Sequence, residues 1–302
     1  MQFDTRQCAA LLAVIDSGSF EAAAQTLSLT ASALSQRVRA LEIQFGAPLL
    51  VRSRPCHATP AGQRLVQHLR RVAEMEQDLA GEFADQPGAP VSIALAVNAD
   101  SLDSWVLPTL ADFLIQENIL LDLCIDDQEH THALLESGMV LGCISVQPKA
   151  MRACQAEALG SMRYQAVAST AFCARWFPQG MQRDSARLAP VLSFNRKDKL
   201  QSQFLLDHFG LPENAYPCHH IPATAPYNRA VALGLGWGMI PELMLKQMAG
   251  GAELVRLAPA HPVDVALYWH SWKVRSPRLA RLSATLVSNA RKALAPDHQN
   301  LP

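Results

Sequence analysis

Two groups of side chains near the start of this sequence have types and spacings that could do chemistry. The first is Thr30, Ala31, Ser32, Ser35, Gln36 and Arg39, followed by Arg52 and Arg54. Hydroxyl, amide and guanidinium groups crowded at one helix start can read base edges. Ser and Gln bond groove donors and acceptors, Gln suits adenine, and Arg reaches guanine or phosphate. Arg52 and Arg54, at the tip of a short turn, would enter a minor groove or clamp phosphates. Each residue taken alone is also an ordinary surface residue. The second group is Leu65, Leu69, Val72 and Leu79. These fall on a heptad seam, with Glu76 at the one expected apolar position and Met75 beside it. Such a seam is buried either against a second copy of the chain or against its own amino-terminal unit.

The elements that must position these residues are legible. Residues 4–16 read as a helix, with Cys8, Leu11, Leu12 and Ile15 at helical spacing. Ser17-Gly18-Ser19 breaks it, and Ser19 caps a short helix over residues 20–27. Thr30 caps a third helix that runs to Phe45 and stops at Gly46. Val38 and Leu41 would face inward. Two short helices with a tight connection, the second entered through a hydroxyl residue, form a helix-turn-helix pattern. Residues 50–59 read as a β-turn wing. Thr59-Pro60 is a strong helix start, and a long helix follows to about Phe83.

Charge agrees with that pattern. The chain has 302 residues and a net charge of −1, with 26 basic and 27 acidic groups. Yet residues 1–71 hold eight Arg (6, 37, 39, 52, 54, 64, 70 and 71) against only Asp4, Asp16, Glu21 and Glu42, and no Lys occurs before Lys149. Arginine suits phosphate, because its planar fork engages two oxygens at once. A solvated basic surface is the plainer reading of charge alone.

Residues 85–90 (DQPGAP) form the clearest linker. Beyond it strand-like and helix-like runs alternate: strands over residues 91–97, 120–125, 141–146, 164–168, 191–194, 238–240 and 265–268, helices over 104–117, 132–137, 201–208, 225–234 and 277–294. Alternating βα units predict parallel sheets with ligands outside the strand carboxyl ends. The length suits two small sheets rather than one. A chain that is 49% hydrophobic and 18% charged can bury a core, so disordered and low-complexity classes are excluded. No apolar run reaches membrane-spanning length, and the first twenty residues lack a basic start and cleavage site, so a cytoplasmic location is expected. Seven Cys without a C-x-x-C pair suit free thiols in a reducing compartment.

The run AVIDSGSFEAAAQTLSLTASALSQRVRALEIQFGAPLLVRS, followed by TPAGQRL, resembles the amino-terminal winged helix-turn-helix of LysR-type transcriptional regulators. Ser32 stands where many relatives carry Pro. Further on, DDQEHTHALLESG, LGSMRYQAVAS, FNRKDKLQ, GLGWGMIPE and VDVALYWH resemble the ArgP/LysG-like branch, whose members activate export genes for lysine and arginine. The resemblance covers essentially the whole chain. It implies an α/β fold: a winged helix-turn-helix at 1–58, a linker (dimerisation) helix and hinge at 59–90, and a two-lobed, periplasmic-binding-protein-like α/β effector domain at 91–302. Lobe 1 would comprise about 91–162 and 267–302, and lobe 2 about 163–266. It further implies double-stranded DNA, RNA polymerase, a small effector such as lysine or arginine, and a homodimer or homotetramer.

A cleft for a free amino acid needs backbone N–H groups or Arg for the carboxylate and acceptors for the ammonium. A basic side chain needs one more carboxylate. Asn98, Ser101 and Leu102, in the 98–103 stretch that opens a helix, make a good carboxylate site. Ser145 and Thr224 would flank the cleft from either lobe. Asp127 and Asp198 are candidate cation partners, although Asp198 could pair with Arg196 or Lys197 and Asp127 could cap a helix.

Other signals point nowhere. His130-Thr131-His132 beside acids lacks metal-ligand geometry, because residues two apart do not share a helix face. Gly234-Leu235-Gly236-Trp237-Gly238 precedes a strand rather than joining strand to helix, so it reads as a turn. No nucleophile motif or phosphate loop is present, so neither an enzyme nor a cofactor is expected. A solute-binding protein without DNA binding would share the downstream fold but leaves the first 85 residues unexplained.

Overall fold

The computed structural model describes residues 3–82, 90–125, 131–248 and 253–295. Each helix of the amino-terminal head begins at a side chain that satisfies its orphan amides. In α1 (Thr5–Ser17) the Asp4 carboxylate accepts the Arg6 and Gln7 amides. In α2 (Phe20–Thr26) Ser19 accepts those of Glu21 and Ala22. In α3 (Ala31–Phe45) Thr30 accepts that of Ala33. Cys8, Leu11, Val14, Ala23, Leu34, Val38, Leu41, Leu49 and Leu65 meet in one apolar cluster.

The wing is a pair of two-residue strands, β1 (Leu50–Val51) and β2 (His57–Ala58), paired antiparallel. The linker helix α4 (Pro60–Glu82) leaves it at Thr59, whose hydroxyl donates to the Pro48 carbonyl and accepts the Gly62 amide. A Cβ on Gly62 would fall 1.9 Å from the Leu49 carbonyl oxygen. Only glycine lets α4 lie this close to the wing. The expected helix end near Phe83 and residues 85–89 of the linker lie outside the described residues.

The larger part begins with β3 (Val91–Val97), α5 (Ala99–Ser101), a π-helical turn (Leu102–Val106), α6 (Leu107–Gln116), β4 (Ile119–Ile125), α7 (Thr131–Glu136) and β5 (Gly142–Ser145). Then come β6 (Cys154–Ser169), α8 (Thr170–Trp176), α9 (Arg183–Leu188), β7 (Val191–Ser193), α10 (Leu200–Phe209), β8 (Cys218–His220) and α11 (Thr224–Ala232). β9 (Gly238–Pro241), α12 (Glu242–Met248), β10 (Leu254–Arg256), β11 (Val263–Trp272) and α13 (Pro277–Ala293) complete it.

The main sheet has strand order β10-β6-β11-β5-β3-β4, with β9 also paired to β6. Fully parallel sheets are therefore not what forms. β3 runs parallel to β4 and β5, and β7 to β8, but β6 pairs antiparallel with β9, β10 and β11. The cause is the length of β6 and β11. Residues 154–164 of β6 pair with β11, beside the β3–β4–β5 group, and residues 164–169 pair with β9 and β10. A strand that passes from one lobe to the other pairs with its returning partner, which runs the opposite way.

The single helix expected over 104–117 starts earlier, at Ala99, and carries a π turn. Helices α8, α9 and α12 and strands β8 and β10 were not anticipated. The apolar core runs through Leu95, Trp105, Met162, Tyr164, Trp237, Trp269 and Leu286, with a smaller cluster of Val167, Leu192, Tyr227, Ile240 and Met244 in the second lobe. None of the seven cysteines is in a disulfide. Among the described residues, no helix is long and apolar enough to cross a membrane.

Candidate DNA-reading head and effector cleft

Burial of Leu34, Val38 and Leu41 turns the opposite face of α3 to solvent, and on it Ala31, Ser32, Gln36 and Arg39 are exposed. Thr30 holds the cap, so its hydroxyl serves the helix start. Arg54 stands exposed on the wing. Arg52 is differently placed. Its guanidinium lies 5.1 Å from the centre of the Phe20 ring, 3.4 Å from the Ser35 hydroxyl and 4.0 Å from the Glu42 carboxylate. Glu42 in turn accepts the Leu49 and Leu50 amides. Arg52 thus ties α2, α3 and the wing together, and Ser35 spends an acceptor on it.

The seam residues on α4 separate into two sets. Leu65 is buried in the head's own core and Leu69 packs against it, so in this structure Leu65 is not an exposed interface residue. Its neighbours in the head reach it first, since α4 starts directly on them. Val72 is half-buried, while Met75 and Leu79 are exposed, Leu79 by 56%.

A cleft of about 710 Å³ opens at the carboxyl ends of β3, β4 and β5, the place where open α/β sheets take ligands. One wall carries Asn98, Asp100, Ile125 and Val146; the other carries the 194–201 loop, Thr224, Tyr227 and Met239; Tyr164 and Val265 of the crossing strands form the floor. Three expected residues, Asn98, Asp198 and Thr224, line this space. Ser101 and Ser145 do not: both are fully buried, and the Ser145 hydroxyl accepts the Gln147 amide. Leu102 packs against the core within the π turn. Ser101 and Leu102 are drawn inward because helical structure starts at Ala99 rather than at 104, whereas Ser145 is the last residue of β5, with its side chain on the buried face. Asp127 lies outside the described residues.

The polar groups facing the cleft are unevenly satisfied. The Asn98 amide oxygen, the Gln201 amide oxygen and the Thr224 hydroxyl are buried without a hydrogen-bond partner. Such groups cost free energy unless something bonds them. The Asp198 carboxylate accepts the Phe194 and Leu200 amides at 3.1 and 3.0 Å and the Ser193 hydroxyl at 3.4 Å. It shapes its loop and keeps acceptor capacity, since a carboxylate has about four lone-pair sites. Gln201 donates to the Tyr227 hydroxyl, which donates to the Leu192 carbonyl and accepts the Met239 amide.

The residue that sequence reasoning did not single out is Asp100. It accepts a 2.7 Å hydrogen bond from the Tyr164 hydroxyl. Burial pushes its carboxyl up to about 6; the Tyr164 bond opposes the rise, and the charges of Asp198 and Asp103 add to it. A perturbed acid in a cleft is a functional signal. When ionised, Asp100 favours a cation beside the 98–103 stretch. Its position just inside a helix start was the available hint, read there as a dipole for anions.

Comparison with known proteins identifies the family. Residues 5–63 match the family described as "Bacterial regulatory helix-turn-helix protein, lysR family", and residues 88–291 match the LysR substrate binding domain. A relative from Aeromonas salmonicida, the HTH-type transcriptional regulator ArgP, is 40% identical over 294 residues, 97% of this chain and 98% of its own. The crystal structure of ArgP from Mycobacterium tuberculosis superposes with a TM-score of 0.83 at 38% identity, covering 96% of this chain and 98% of that one. The full-length LysG from Corynebacterium glutamicum with bound effector Arg superposes at 0.77 and 33% identity, covering 97% of this chain and all of the other. Such relatives are transcriptional regulators and not enzymes. A head that presents a helix and a wing, joined to a two-lobed domain with a polar cleft, thus belongs to the LysR family of DNA-binding transcriptional regulators, in its ArgP- and LysG-like branch.

Proposed function

We propose that the cleft takes a free basic amino acid, arginine or lysine, and that its occupancy controls transcription of an amino-acid exporter gene. The observation that carries this reading is a pair of carboxylates, Asp100 and Asp198, facing one cleft from opposite lobes and close enough to feel each other's charge. Two cations on one small molecule match them. The ligand's α-carboxylate then falls to the start of α11, where the Thr224 hydroxyl lacks a partner, with Arg196 and Lys197 on the adjoining loop. The arginine in the LysG structure supports the same class of ligand.

In this reading residues 1–58 bind DNA, 59–90 join two copies, and 91–302 sense the ligand, with lobe 1 about 91–162 and 267–302 and lobe 2 about 163–266. Ala31, Ser32, Ser35, Gln36 and Arg39 meet base edges and Arg54 the backbone or minor groove, while Thr30 and Arg52 hold the reading elements in place. Leu69, Val72 and Leu79 face a second copy, giving a homodimer or homotetramer. The protein works in the cytoplasm beside RNA polymerase. Calorimetry with arginine, lysine, citrulline and norleucine tests the ligand class. Only arginine and lysine, which carry two cationic groups, should bind with micromolar affinity; equal binding of citrulline would overturn the reading.

A further inference from the structure

The linker helix has a second occupied face. Counted at 3.6 residues per turn, Gln67, Arg70 and Arg71 lie on the side of α4 opposite the Leu65–Leu69–Val72–Leu79 seam. All three meet the effector domain of the same chain. Gln67 donates to the Glu136 carbonyl, at the end of α7. Arg71 places its guanidinium 4.9 Å from the centre of the Trp272 ring, at the end of β11. Arg70 donates to the Gly138 carbonyl at 2.5 Å and to the Met139 sulfur at 3.1 Å, and pairs through its other terminal nitrogen with Asp16 of the head. Gly138 has φ 72°, and a Cβ there would lie 2.9–3.0 Å from Gln67. The close approach of α4 therefore requires this glycine.

The other end of α7 reaches the cleft. Ile125, which lines it, ends β4, and α7 begins at Thr131. The Thr131 hydroxyl donates to the Ile144 carbonyl at 2.7 Å, next to Ser145 and to Val146, which also lines the cleft. α7 is thus a six-residue strut with the cleft wall at one end and Arg70 at the other. Arg70, on the linker helix, bonds both Asp16 of the head and the turn that follows α7 in the effector domain.

We propose that Arg70 couples the cleft to the head: displacement of α7 when the cleft fills is passed through the Gly138 carbonyl to Arg70 and from there to Asp16 on α1. Arg70 lies on the linker helix, outside the cleft lining and outside the reading helix α3, so it acts as a positioning residue. This rests on the reading of the chain as an effector-responsive DNA-binding regulator. A coupling residue changes how two binding events influence each other, and by linkage the influence is equal in both directions. Spatial intermediacy alone does not establish coupling, so the test must measure it.

The test uses the full-length protein, a duplex selected by it from a randomised pool, and arginine. Operator affinity is measured by fluorescence anisotropy with and without saturating arginine, and arginine affinity by calorimetry with and without the duplex. The wild type should show a change of about 5-fold or more in both. Arg70→Gln should keep each separate affinity within about 3-fold and bring the ratio close to one. Asp16→Asn, which leaves the effector domain untouched, should do the same to a smaller extent and guards against an Arg70 variant that fails to fold. An unchanged ratio in Asp16→Asn and in any folded Arg70→Gln overturns the proposal, as does a wild type in which arginine and duplex both bind without affecting each other. Failure of the wild type to bind arginine or a selected duplex would instead strike the underlying reading.

Discussion

Replacing Asp100 by Asn should weaken arginine binding and remove most of its dependence on acid. The side chain lines the cleft and is held by Tyr164. Losing one charge-assisted hydrogen bond to a ligand cation costs about 1.5–3 kcal/mol, or roughly 10- to 150-fold in Kd. The pH dependence has a definite sign. The Asp100 carboxyl sits at about 6 rather than 3.8, and only its ionised form attracts a cation. Between pH 7 and pH 5 the ionised fraction falls about tenfold, so wild-type affinity should fall about tenfold across that range. Isothermal titration at pH 5, 6, 7 and 8 reads both effects: Asp100→Asn should bind weakly with a nearly flat profile. The same raised value means that ionised Asp100 opposes folding in the ligand-free protein above pH 6, an effect that fades as pH falls toward 4. Asp100→Asn should therefore melt higher than the wild type at pH 7.5 without arginine, and lower with it. Unchanged affinity and an unchanged pH profile would refute the assignment of Asp100 to the ligand cation.

Three other outcomes follow from the head and the linker. Gln36→Ala should lose about 1–3 kcal/mol on the preferred duplex only, whereas Arg54→Ala should weaken all duplexes evenly and lower the salt slope by about one. Indistinguishable effects in a salt-titrated gel shift would contradict the division between base and backbone contacts. Arg52→Ala should lower the melting temperature of the protein as well as DNA affinity, by about 1 kcal/mol of stability, and Arg52→Lys should not restore it because an ammonium cannot serve Phe20, Ser35 and Glu42 together; an unchanged melting curve would make Arg52 a pure DNA contact. In sedimentation, Leu79→Asp should shift the protein toward monomer with little loss of head stability, while Leu65→Ala should destabilise the head by about 2–5 kcal/mol; the reverse pattern would mean that the buried and exposed parts of the seam have been exchanged.

The head was legible in the sequence almost residue by residue, because its signals are local. Ser19 and Thr30 cap helices through side chains a few positions from the amides they serve, and Thr59-Pro60 opens α4 in the same way. The effector domain was legible as an alternation of elements but not as a sheet. The first half of β6, CQAEALGSMR, breaks the period-two pattern at Gly160, opposite a shift of register between Leu267 and Tyr268. A strand irregular at that point carries no clean alternation to read. The cleft was half legible. Thr224 and Asn98 announce themselves at helix starts, and Asp198 by its loop. Asp100 does not, because its significance lies in Tyr164, 64 positions away. Ser101 is turned into the core because helical structure begins at Ala99 rather than at 104, and Ser145 because the face of β5 on which it lies is buried. Leu65 illustrates the same limit on α4: a heptad repeat gives a face, and only tertiary contact decides what covers each part of it.

The central claim is that one chain reads DNA sequence and lets a basic amino acid adjust how it does so. Its most direct test is a competition titration. A labelled selected duplex is bound to the full-length protein, then displaced by unlabelled scrambled DNA of the same composition, with and without arginine. Scrambled DNA should be needed in about thousandfold or greater excess, and arginine should move that excess measurably. Displacement at equal concentration, unaffected by arginine, would contradict the account.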